Sequence, residues 1–239
     1  MKNQETLLKQ FGGGTLGFTL AEVLITLGII GVVAALTMPS LIAQHKNQET
    51  VARLQKAISV LNNGMRKMLA DEGVDQIGYL ELNTCNPGVV STGEVQRCLQ
   101  PYFKKYFNIV QDNVGVPASG GDFYPAAEFK LLKGNKNLAA GYWGITQRYA
   151  FVTGDGILYV PFSWPFTGSS NALIDINGKK GPNQVGRDIF ILENRDGTFV
   201  PAGGDTWNDS SSNDYCNPQS GLGYGCAARI VQDGWKIKY

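Results

Sequence analysis

Residues 12–42 read GGGTLGFTLAEVLITLGIIGVVAALTMPSLI. From Phe18 to Met38 the only charged side chain is Glu22. At about 1.5 Å of rise per residue, a helix over this run is roughly 30 Å long, the thickness of a bilayer's hydrocarbon core. The apolar run is longer than a secretory signal core. It continues through Pro39-Ser40-Leu41-Ile42 without a small-residue cleavage site behind it. A membrane-spanning helix is therefore expected over residues 18–42. Pro39 removes one hydrogen bond and crowds the Ala35 carbonyl, so a kink or loosening is expected there.

Glu22 is the anomaly. A carboxylate in the middle of a bilayer costs about 2.5–3.5 kcal/mol on insertion scales and needs a partner. No Lys or Arg occurs between Lys9 and Lys46, so this helix holds no basic side chain to pair with it. A cut between Gly17 and Phe18 would create an α-amino group four residues before Glu22, about 6 Å along the helix. That amine could meet its own Glu22 or that of a neighbouring subunit. Without the cut, the segment would be a signal anchor with Glu22 among the lipid headgroups.

The stretch Gly17-Phe18-Thr19-Leu20-Ala21-Glu22, behind a short polar leader carrying Lys2 and Lys9, resembles the cleavage and methylation motif of type IV pilins and type II secretion pseudopilins. The resemblance is strong over residues 12–42 and rests on general layout elsewhere. It implies removal of leader 1–17 by a prepilin peptidase and N-methylation of Phe18. It further implies assembly through Glu22 with other pilin or pseudopilin subunits on an inner-membrane platform, with lipid as the medium before assembly. Lys2 and Lys9 favour a cytoplasmic N-terminus. The rest of the chain then lies across the membrane, and later on a surface or periplasmic filament. Ala21, Gly28, Gly31 and Ala35 form a small-residue face suited to close helix approach.

Past Pro39 the pattern stays helical through residues 43–73. Val51, Leu54, Ile58, Leu61, Met65 and Met68 recur at spacings of three and four, an apolar stripe expected to pack on a sheet. Residues 74–127 read as a connecting region. Within it, Glu94–Phe107 has a short helical pattern that puts Phe103 and Phe107 on one face. The aromatic run there also admits a base- or glycan-stacking reading. Residues 128–239 read as an antiparallel meander of about four to five strands and a C-terminal loop. Hairpin turns are expected at Thr153-Gly154-Asp155-Gly156 and Asn194-Arg195-Asp196-Gly197. The segment from Ala227 to Ile237 reads as a returning strand or turn. The expected fold class is α+β and pilin-like, a long N-terminal helix packed on an antiparallel sheet with a disulfide-bounded C-terminal region.

Four cysteines, Cys85, Cys98, Cys216 and Cys226, fall in two close pairs, which favours local disulfides and an oxidising compartment. Three connectivities are open to four cysteines. A formal net charge of +1 without a long basic block points to no nucleic-acid partner. The lone His45 and the absence of GxSxG, Walker and HExxH motifs leave little support for catalysis, and no cofactor is expected. Asp175, Asn177 and Asp188 in a Gly-rich loop are candidate calcium ligands, opposed by Lys179 and Lys180 and rivalled by a loop of Asx-turns. Asp205, Asn208, Asp209, Asn213 and Asp214 form a second oxygen-rich segment. The expected function is that of a structural filament subunit, a minor pilin or pseudopilin. The rival is a monomeric, membrane-anchored binding protein that uses the helix only as a tether.

Overall fold

The structure, a computed structural model, describes residues 17–75, 92–112, 130–137, 149–163, 171–195, 197–203, 216–219 and 221–239; at 92–97, 135–137 and 161–163 the backbone alone is described. The chain divides into two compact units, Met1–Lys46 and Asn47–Tyr239. Helix α1 (Leu20–Glu72) contributes residues to both and is helical through Pro39.

In the first unit α1 is apolar and exposed. Leu24, Ile25, Leu27, Ile29, Ile30 and Val32 are each 60–63% exposed. The hydroxyls of this stretch fold back on the helix: Thr26 Oγ1 donates to Val23 O at 3.0 Å and Thr37 Oγ1 to Val33 O at 2.9 Å. Such internal bonding pairs both of these hydroxyl donors where the surrounding medium is apolar.

The second unit is built on a six-stranded sheet in the order β1-β4-β5-β6-β7-β8, every neighbouring pair antiparallel. The strands are β1 (Ile109–Asp112), β4 (Phe151–Thr153), β5 (Leu158–Ser163), β6 (Asn171–Asp175), β7 (Ile189–Arg195) and β8 (Thr198–Pro201). The hairpin β2 (Lys130–Leu131) and β3 (Gly134–Asn137) forms a separate two-stranded sheet. The meander therefore has one strand more than the four to five expected. The addition, β1, comes from the region read as connecting loop. It pairs with β4 through a bulge at Ile109/Gln111, and its four residues are too few to show an alternating pattern.

Strand alternation sorts the side chains onto two faces. On one face Phe151, Tyr159, Ile174, Phe190, Leu192 and Phe199 meet the buried face of α1 and the helix α2 (Thr92–Tyr106). The α1 face comprises Val51, Leu54, Ala57, Leu61, Gly64, Met65, Met68 and Leu69. It follows the expected stripe, with Ala57, Gly64 and Leu69 added and Ile58 only partly buried. Gly64 is there because a Cβ would stand 2.2 Å from Phe107 Cζ. Phe103 and Phe107 are buried in an aromatic cluster, with Phe103 centroids 5.4 Å from both Tyr149 and Phe151. Packing, not a stacking platform, is the use of these two rings.

The other sheet face is covered too. Val152, Leu158, Val160, Leu173, Ile189 and Ile191 pack with Leu131, Val185, Ala202 and Tyr224. The segment read as a returning strand or turn is a helix, α3 (Cys226–Gln232), burying Cys226, Ala227, Ala228 and Ile230. Ala-Ala-Arg favours helix, and Gly234 at φ 71° ends it, with Gly234 N donating to Val231 O and Trp235 N to Ile230 O.

Polar contacts also tie α1 to this sheet, among them those of Asn62 and Lys56. Asn62 uses both ends of its amide on Phe199: Nδ2 donates to Phe199 O at 2.8 Å, and Phe199 N donates to Oδ1 at 2.7 Å. The side chain thus occupies the hydrogen-bonding edge of β8 as a further strand would. Lys56 Nζ lies 2.9 Å from Asp155 Oδ2 at the β4–β5 turn.

Candidate functional site

The start of α1 is where chemistry and structure meet. Gly17, Phe18 and Thr19 lie outside regular structure, and the helix begins at Leu20. Thr19 is the N-cap. Its backbone N donates to Glu22 Oε2 at 2.8 Å and its hydroxyl to the same oxygen at 2.7 Å. In return Glu22 N donates to Thr19 Oγ1 at 3.3 Å. The first intrahelical bond, Val23 N to Thr19 O, is 3.2 Å. This is a capping box: the cap hydroxyl serves the N3 amide and the N3 carboxylate serves the cap amide.

Thr19 is the residue that sequence reasoning missed. The signal was present as Thr-x-x-Glu just before an apolar run, the pattern of a helix start. Glu22 accordingly has a partner from its own chain, even though no basic residue is near it in sequence. Oε1 accepts no hydrogen bond among the described residues. Phe18, beside the box, is 87% exposed. Gly28 and Gly31 have nothing within 4 Å of where a Cβ would stand, so the small-residue face is open.

The loop between β6 and β7 brings together the three candidate metal ligands. Asp175 is fully buried and Asp188 is 3% exposed. Both carboxylates are already engaged. Asp188 Oδ1 accepts from Gln184 N at 2.6 Å; its Oδ2 accepts from Asn183 N at 2.8 Å and Asn177 Nδ2 at 3.2 Å. Asp175 Oδ1 accepts from Asn177 N at 3.0 Å, closing an Asx-turn. Burial pushes the Asp188 carboxyl up, against the pull of the hydrogen bonds from Gln184, Asn183 and Asn177.

A calcium ion takes six to eight oxygens. Two buried side-chain acceptors of the loop, Asn177 Oδ1 and Asn183 Oδ1, have no hydrogen-bond partner. Among the described residues no three His, Cys, Asp or Glu side chains converge as a metal site would require. As folded, N–H groups of Asn177, Asn183 and Gln184 donate to Asp188, and the loop is closed by its own hydrogen bonds. The second oxygen-rich segment, Asp205 to Asp214, lies outside the described residues.

Cys216 and Cys226 form a disulfide, as local pairing anticipates. Both are buried, against Leu132 and Tyr239. Cys98 is also disulfide-bonded, while Cys85 lies outside the described residues, as do residues 1–16 of the expected leader.

Among the described residues α1 is the one helix long and apolar enough to cross a membrane. A scan of the chain against protein-family models, and searches of curated proteins and of solved structures, find no match.

Proposed function

We propose that the chain is a subunit of a pilin-type filament, made with a leader that a prepilin peptidase removes after Gly17. The observation that carries this reading is the head of α1. There a carboxylate sits four residues past a Gly–Phe bond, at the start of a membrane-length apolar helix with no Lys or Arg between Lys9 and Lys46. Cleavage would place the only nearby cation, the Phe18 amine, where a neighbouring subunit's Glu22 can take it up. The exposed apolar side chains of α1 fit two media in turn, lipid before assembly and helices of other subunits afterwards. The α+β unit Asn47–Tyr239, stapled by its disulfide, would decorate the filament on the oxidising side of the membrane.

The mechanism is mechanical, not catalytic. Membrane insertion stores the subunit, and the amine–carboxylate pair guides its register on transfer into the filament. The test is intact-mass and N-terminal peptide analysis of the protein taken from its native membrane. A mature chain beginning at N-methylated Phe18 is the expected result. A chain still carrying Met1 to Gly17, in cells whose prepilin peptidase is active, overturns the reading and leaves a tethered surface protein.

A further inference from the structure

We propose that Thr19 is a positioning residue for Glu22: its hydroxyl and amide hold the carboxylate on its own helix and leave Oε1 open for a neighbour's amine. The proposal rests on the filament reading above and adds to it the state of Glu22 before any neighbour arrives.

The argument starts from the two unsatisfied partners at this helix start. The first amides of any helix lack intrahelical acceptors, and a carboxylate beside an apolar run lacks donors. Thr19 joins the two problems. Two donors converge on Glu22 Oε2, at 2.8 and 2.7 Å, so this oxygen is committed. The return bond from Glu22 N to Thr19 Oγ1 at 3.3 Å fixes the hydroxyl's own direction. Oε1 takes no hydrogen bond among the described residues, and Phe18 and Thr19 are exposed. An arriving ammonium can therefore bind Oε1 without dismantling the cap. A free glutamate would first lose rotamer freedom to do the same, which weakens each bond it forms. Valine at position 19 has threonine's shape and keeps the backbone N–H bond to Oε2, but its side chain neither donates to Oε2 nor receives Glu22 N. Serine retains both functions.

The experiment compares full-length wild type with Thr19→Val, Thr19→Ser and Glu22→Ala in cells that assemble the filament. Three quantities are read: leader removal and membrane insertion, the assembled fraction, and the Glu22–Phe18 crosslink per assembled subunit. The last uses a water-soluble carbodiimide, which joins the carboxylate to the neighbour's α-amine as an amide and itself takes up the water. Thr19→Val is expected to insert and be cut normally. Its assembled fraction should fall about fivefold, the ratio given by roughly 1 kcal/mol of side-chain freedom that a released carboxylate gives up on pairing, and its crosslink per subunit should fall with it. Thr19→Ser should restore both. Thr19→Ala, which lacks the hydroxyl and the β-branch, replaces valine if that variant inserts poorly.

The outcomes separate the two ideas. If Glu22→Ala assembles like wild type, the filament reading itself fails. If Glu22→Ala blocks assembly but Thr19→Val matches wild type in both assembly and crosslink, the positioning role is overturned. Fewer filaments with an unchanged crosslink per subunit also overturn it, leaving Thr19 as a helix cap alone.

Discussion

Replacing Asn62 with alanine should loosen the join between α1 and the sheet. The wild-type amide makes two hydrogen bonds with one residue of β8, 2.8 Å to Phe199 O and 2.7 Å from Phe199 N. Each is worth about 1 kcal/mol net, so the pair contributes roughly 2 kcal/mol. Asn62 is half-buried, so water can reach part of what is left, and the full penalty of orphaned groups does not apply. Alanine returns roughly 0.6 kcal/mol of helix propensity. The expected net loss is about 1.5 kcal/mol, or some 3–6 °C in Tm for a domain of this size. The neighbouring Asn63→Ala is the control. Asn63 is exposed and contacts only Ser59 and Arg66 of its own helix, so its loss should change Tm by little. Thermal unfolding of the unit Asn47–Tyr239 by circular dichroism gives both values. Amide exchange at Phe199 gives the local one, slow in wild type and fast in Asn62→Ala. The bared β8 edge should also raise the tendency to aggregate on heating. If Asn62→Ala is as stable as Asn63→Ala, or if Phe199 exchanges equally slowly in both, the side-chain clamp is not what closes this edge.

Three further outcomes follow from other contacts. Gly64→Ala gains about 1 kcal/mol of helix propensity but drives a methyl into Phe107, whose ring is held by Phe103 and Phe151. Overpacking costs of roughly 1–3 kcal/mol should win, and a rise in urea midpoint would refute this. The paired change Cys216→Ser with Cys226→Ser opens a loop of sequence separation 10, for which the chain-entropy relation gives about 2.7 kcal/mol of lost stability at 25 °C. Burial alone would raise the Asp155 carboxyl, but the Thr153 hydroxyl and Lys56 outweigh it and hold it below the usual range. A depressed carboxyl stabilises the fold above its unfolded value of about 3.9, and the contribution disappears as pH falls through the folded value. Asp155→Asn should therefore weaken the domain at pH 7 and differ little from wild type near pH 2; an equal difference at both would refute the assignment.

Periodicity alone determined much of this protein. The apolar run from Phe18, the stripe from Val51 to Met68 and the alternating strands around both hairpins are local patterns that hold wherever their faces end up. Thr19-x-x-Glu22 is local in the same way, since a capping box closes within four residues, although the sequence reading passed it over. Other features needed the third dimension. Nothing in the neighbourhood of Asn62 indicates that its partner is Phe199, 137 residues away. Gly64 reads as a weak point in a helix until Phe107 fills the space a methyl would need. β1 is too short to announce itself and exists because β4 offers it an edge. Ala227 to Val231 turned helical because Ile230 and its neighbours found a core to fill. Asp188 shows the contrast most directly. Its residue type and Gly-rich loop admit a metal-ligand reading and a loop of Asx-turns alike, and only the fold shows N–H groups of Asn177, Asn183 and Gln184 around it. Spacing along a chain fixes which side chains share a face, whereas the partner of a polar group is set by whatever the folded chain brings within 3 Å of it.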